Sequence, residues 1–123
     1  MDPLDHLRWP FFDEGHREFA RALDAWAGNE VRDVHGSDVD ALCKQLVHQL
    51  GSAGWLRGSV AGTEHGGAAD TIDTRRLCLA REVLARHAGL ADFAFAMQGL
   101  GSGAISLAGT PEQKARWLPS VAR

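Results

Sequence analysis

The stretch Leu90 to Ala108, LADFAFAMQGLGSGAISLA, decides the fold. It carries one charged residue, Asp92, and none from Phe93 to Pro111. In a water-soluble chain a run this apolar is buried on most sides. Its glycines and serines make it too weakly hydrophobic for a membrane span. The run therefore predicts a central helix with amphipathic helices packed around it. Gly99, Gly101 and Gly103 oppose that helix, each costing about 1 kcal/mol relative to Ala. Such a helix is credible where the glycines let a neighbour approach closely.

Working outward, Gly109 ends the run. Thr110 then caps a further helix, with Pro111 at its first position and Gln113 at its third. That helix carries Trp117, Leu118 and Val121, and Pro119 predicts that it is cut short or kinked. Upstream, about Thr71–His87 reads as a helix. Its segment Leu77-Cys78-Leu79-Ala80 is apolar most of the way round and predicts a central position. Glu82 within it needs a partner, with Arg75, Arg81, Arg86 or a helix terminus as candidates.

Gly51–Asp70, with six glycines, reads as a long loop holding a short extended piece at Trp55–Val60. Loops of this length often lie at functional edges. Before it, Val39, Leu42, Cys43, Leu46, Val47 and Leu50 form one helical stripe. Ser37 or Asp38 caps its start, and Gly51 or Gly54 ends it. Phe12, Phe19, Leu23 and Trp26 recur at helical spacing, predicting a helix over about Phe12–Val31 with Asp13 and Glu14 at its start. Pro3 and Pro10 make Met1–Pro10 an extended lead-in. The sum is an all-α fold: one domain, 1–123, an orthogonal or up-down bundle of about five helices.

The 123 residues carry 13 basic and 16 acidic side chains, a net charge of -3. The basic residues, 11 Arg and 2 Lys, are scattered. Nothing here attracts nucleic acid or an anionic membrane. Met1–Arg8 is charged and lacks the apolar run of a signal peptide. Cys43 and Cys78 read as two reduced, buried thiols of a cytoplasmic protein.

Four constellations bear on chemistry. Gly99-Leu100-Gly101-Ser102-Gly103-Ala104 matches G-x-G-x-x-A and follows the strand-like alternation Phe93–Met97. A dinucleotide fingerprint, however, needs a strand–helix–strand unit and an acidic residue about twenty positions on, and neither is present. Close helix packing is the default reading. The histidines His6, His16, His35, His48, His65 and His87 show no metal-ligand spacing, so no metal is expected. Glu64-His65 would be an acid–base pair only if a turn brought the two side chains together. The serines include no G-x-S-x-G. No self-contained catalytic set emerges.

The chain nevertheless resembles the N-terminal helical domain of acyl-CoA dehydrogenases. Ala108-Gly109-Thr110-Pro111-Glu112-Gln113-Lys114-Ala115-Arg116-Trp117-Leu118-Pro119 is similar to the family's "fGteeqkerwLp" helix. Glu82-Val83-Leu84-Ala85-Arg86 is similar to "EeLar". Leu50–Leu56 with Glu64-His65-Gly66-Gly67 is similar to "lgelGwl…vPeehGG", although Val60-Ala61-Gly62-Thr63 lacks the usual proline. The similarity runs from about Trp9 to Arg123.

The resemblance implies FAD-dependent desaturation of an acyl-CoA or acyl-carrier thioester. A glutamate takes the α proton while the β hydride passes to the flavin, which an electron-transferring flavoprotein reoxidises. In that family the base lies in a C-terminal helical domain, and most flavin contacts come from there and from a middle β domain. Both lie beyond Arg123, so this chain is expected to be a segment, a remnant or a subunit needing a partner, and the full enzyme a homo-oligomer. The first domain supplies a wall of the acyl pocket. The matching positions are Phe93, Ala96, Met97 and Leu100, at i, i+3, i+4 and i+7 on one helical face. The same face also fits ordinary core. Two classes stay open: a domain of such a dehydrogenase or of a related flavin oxidase or monooxygenase, and a stand-alone helical binding module without chemistry.

Overall fold

Four of the five helices begin where a short polar side chain accepts their free N–H groups. The computed structural model describes residues 2–32 and 34–123. Asp13 caps α1 (Glu14–Glu30), Asp38 caps α2 (Val39–Ser52), Asp73 caps α3 (Thr74–His87) and Thr110 caps α5 (Pro111–Val121). Thr110 and Gln113 close the reciprocal capping box that their spacing predicts. The fifth helix, α4 (Gly89–Ala108), has no side-chain cap. It follows α3 after Ala88 alone, whose extended backbone breaks one helix and starts the next. The described residues form five α-helices and no strand, an all-α bundle.

The near-chargeless run is the hub. α4 packs against α2, α3, α5 and the turn Trp55–Ser59, while α1 packs on α3. The core joins Phe19, Leu23 and Ala27 of α1 and Val31 just past its end, at four-residue spacing, to Leu79, Val83 and Leu84 of α3 and to Leu46 and Leu50 of α2. Burying each Leu contributes roughly 1.5–3 kcal/mol. A smaller cluster of Val60, Leu118 and Ala122 seats α5. Helix α5 continues only two residues past Pro119, which has no amide hydrogen to donate.

Several expectations are corrected. The lead-in is not extended: Asp5–Arg8 makes a 3-10 turn that buries Leu7. Arg17 fixes it by donating to the carbonyls of Leu7 (3.0 Å) and Phe12 (2.8 Å). Trp55–Val60 is not extended either, because Gly54, at φ +83°, reverses the chain into a 3-10 turn, Trp55–Ser59. The rest of that long loop is pinned by backbone bonds, Gly62 N to Ala69 O (3.0 Å) and Ala68 N to Arg57 O (2.9 Å). Gly67 is required there, since a Cβ would collide with the Val60 carbonyl oxygen.

Helix α3 is not apolar all round. Leu79, Ala80, Val83 and Leu84 form one buried stripe, Leu77 is half-buried, and Cys78, on the opposite side, is exposed. The two thiols are free, but only Cys43 is even half-buried. Glu82 meets none of the expected arginines. Its carboxylate lies 3.1 Å from His6 Nε2, because Arg75, Arg81 and Arg86 are engaged with Asp73, Asp92 and Asp24.

The largest correction concerns α4 itself. One face, Ala91, Ala94, Phe95, Ser102 and Ser106, is buried, whereas Phe93, Met97, Leu100 and Leu107 are exposed. The covering helices reach only one side of it. Nor do the glycines admit a neighbour: nothing lies within 4 Å of a Cβ built on Gly101 or Gly103, and Gly99 reaches only Ser59 Oγ, at 3.9 Å.

Candidate functional site

Phe93, Ala96, Met97 and Leu100 share one side of α4, and that side faces outward. Phe93 is 53% exposed and Leu100 72%, while Ala96 is half-buried. These residues are therefore not the core of the described chain. Leu107 extends the stripe by two further turns. Neighbouring Phe95 points the other way and is 3% exposed, because two residues on a helix differ by about 200°.

Beside this stripe lies an apolar groove of about 290 Å³. Phe95, Ala96, Gly99 and Leu100 of α4 form one wall, Leu77 and Arg81 of α3 the other, and Ser59 closes the bottom. Arg81 is held as a fork on Asp92, Nε to Oδ1 at 2.8 Å and Nη2 to Oδ2 at 3.0 Å, and this pairing raises the guanidinium's affinity for its proton. The groove thus contains one cation that is already neutralised. Ser59 Oγ is buried and has no hydrogen-bond partner among the described residues. A second, smaller depression of about 230 Å³ separates α4 from α5, lined by Ala104, Ile105, Ala108, Gly109, Gln113 and Trp117.

The family resemblance singled out Ala96 and Leu100, and both line the groove. The structure places Phe93 and Met97 farther round the open face. Ser59, Leu77, Arg81 and Phe95 were not foreseen. Leu77 and Arg81 lie on α3 at i, i+4, a spacing that carries no signal until the partner helix is known. Ser59 sits in a segment with no periodicity.

The remaining candidates disperse. Gly99–Ala104 lies inside α4, so its amides serve the helix and no phosphate-binding turn exists there. The 3-10 turn Thr63–His65 does bring His65 Nε2 to 3.4 Å from Glu64 Oε1, but Glu64 is well exposed. No group of three or more His, Cys, Asp or Glu among the described residues is placed to hold a metal ion. No helix of the described residues is long and apolar enough to cross a membrane.

An all-α bundle is what the resemblance carried by the motifs around Gly109–Pro119 and Glu82–Arg86 implies. A family model described as "Acyl-CoA dehydrogenase, N-terminal domain" matches residues 13–123. The chain belongs to this family. No curated protein matches it.

Acyl-CoA dehydrogenases use FAD, and the residues of this N-terminal domain do not by themselves fit it. The groove's one lining cation, Arg81, has its charge balanced by Asp92, and the lining adds one partnerless hydroxyl. A flavin ring and a diphosphate need several donors at once. No chemical step through the flavin is therefore derived from this chain.

Proposed function

We propose that this chain acts as the N-terminal helical domain of an FAD-dependent acyl-CoA dehydrogenase, and that the Phe93–Leu100 face of α4 forms part of the pocket for the acyl chain. The open face of α4 carries this reading. A helix whose one side is core and whose other side exposes Phe93, Met97 and Leu100 leaves apolar area in water unless something apolar covers it. A fatty acyl chain, held between this face and the remaining domains or a partner subunit, covers it. In the assembled enzyme this domain excludes water and measures chain length. The catalytic base, the flavin contacts, the docking of an electron-transferring flavoprotein and the homo-oligomer contacts belong to those other parts.

Apolar walls discriminate by only about 1–3 kcal/mol per methylene. Replacing Phe93 by Ala in the assembled enzyme is expected to shift the optimum acyl length upward by one or two carbons, with loss of selectivity near ten-fold or more. An unchanged chain-length profile would falsify the pocket assignment. It would favour instead a helical interaction module whose open face docks protein.

A further inference from the structure

Ser59 is 1% exposed, and its hydroxyl has no hydrogen-bond partner among the described residues. A buried hydroxyl without a partner is uncommon, because it gives up its bond to water and gains nothing. The bonds around it go elsewhere. The Ser59 carbonyl accepts weakly from Ser102 Oγ at 3.4 Å, while that hydroxyl donates closely to Gln98 O at 2.8 Å. Neither contact uses Ser59 Oγ. Ser59 lines the apolar groove, and its Oγ lies 3.9 Å from where a Cβ on Gly99 would sit.

The groove's other walls are hydrocarbon, from Leu77, Phe95, Ala96 and Leu100. Arg81 is at its edge but is bound at two points by Asp92. An anionic ligand group would compete with Asp92 for the charge of Arg81. A neutral oxygen would not, and it is what an isolated hydroxyl can bond to, as donor or acceptor.

We infer that the groove takes a ligand with an apolar body bearing one neutral oxygen, a hydroxyl or a carbonyl, and that Ser59 Oγ is the hydrogen-bond partner of that oxygen. Resting on the acyl-pocket reading above, this makes the substrate class an acyl thioester whose chain or ring carries an oxygen substituent, rather than a plain hydrocarbon chain. Arg81 and Asp92 neutralise each other at the rim, and this disfavours acyl groups ending in a carboxylate.

The test is an NMR titration of the full chain, labelled with ¹⁵N, using cyclohexanol and cyclohexane as matched probes. Cyclohexanol is expected to shift the amides of Ser59, Ala96 and Gly99 and to bind about 2- to 10-fold more tightly than cyclohexane, the range of one net hydrogen bond. Ser59→Ala is expected to abolish that preference while cyclohexane still binds. Gly99→Ala, which places a methyl 3.9 Å from the hydroxyl, is expected to weaken cyclohexanol more than cyclohexane. Equal binding of both probes by the unaltered chain overturns the inference, and so does a preference that survives in Ser59→Ala. Shifts confined to other parts of the chain overturn it as well. The acyl-wall reading is judged separately, by the chain-length profile of the Phe93→Ala enzyme, which does not depend on Ser59. A changed profile with no alcohol preference removes only the oxygen contact.

Discussion

His16 on α1 and Asp73 at the start of α3 stand 57 positions apart in sequence and meet at 2.8 Å, Nε2 to Oδ2. The other ring nitrogen of His16 lies 2.9 Å from Oδ1 of Asp13, the cap of α1. One buried imidazole thus ties together the first turns of two helices. Replacing His16 with Ala removes both links and leaves a gap beside Phe12, whose ring is 6.0 Å from the imidazole. The expected cost is about 2 kcal/mol, from lost bonds to charged groups and lost packing. Urea unfolding of His16→Ala against the unaltered chain measures it, and a loss under about 0.5 kcal/mol would show the link to be idle.

The same cluster sets the response to acid. Asp13 is held below its ordinary value of 3.8, first by the His16 backbone N–H it accepts. For Asp73, partial burial pushes the value up, but the His16 ring and the Arg76 backbone N–H outweigh it and bring it below 3.8. Carboxyls depressed in the folded state stabilise it above their unfolded value and lose that contribution as pH falls through the folded one. The unaltered chain should lose thermal stability as pH falls through the ordinary carboxyl value of 3.8 and below it. Asp73→Asn should be less stable at neutral pH and decline less steeply across the same window. Parallel curves of Tm against pH for the two proteins would dismiss Asp73 as a contributor.

Phe93 and Phe95 offer the sharpest contrast on one helix. Phe95 is buried in the main core and its Ala variant should lose about 3–5 kcal/mol. Phe93 stands in solvent in the isolated chain, and its Ala variant should change stability by no more than about 0.5 kcal/mol. Thermal melts of the two variants decide it. Comparable losses would mean that the open face of α4 is covered after all.

Why these two rings diverge was only half legible. The capping signals at Asp13, Asp38 and Thr110 and the stripes of α1 and α2 are local, so spacing reveals them. Phe93–Leu100 could be grouped on one face because helical geometry fixes which residues align. Which face is core depends on where α2, α3 and α5 stop, and the run itself is apolar on every side. Ser59 was illegible for a different reason: its isolation comes from the fold of an irregular loop, and Gly54 sets that loop's course. His16 was hidden because its second partner arrives from α3.

Ser59→Ala should stabilise the unliganded chain. The substitution removes a buried hydroxyl that has no partner among the described residues and leaves a methyl in apolar surroundings. Relief of an unpaired group is worth about 1 kcal/mol, or about 4 °C in Tm for a domain of this size. Differential scanning calorimetry without ligand gives the answer. A loss of stability would mean that the hydroxyl is already satisfied, by a trapped water or otherwise, and the oxygen-bearing ligand would lose its support.

Gly101 and Gly103 separate the needs of the isolated chain from those of an assembly. A Cβ at either position meets nothing within 4 Å, and both lie inside α4. Helix propensity alone then favours Ala by up to about 1 kcal/mol at each site. The double variant Gly101→Ala, Gly103→Ala should therefore melt several degrees higher as an isolated chain. If the glycines exist so that another domain or an acyl chain can lie close to α4, the same variant should bind its partner or substrate less tightly although it folds better. Higher stability together with unimpaired assembly would leave the glycines without a contact to serve.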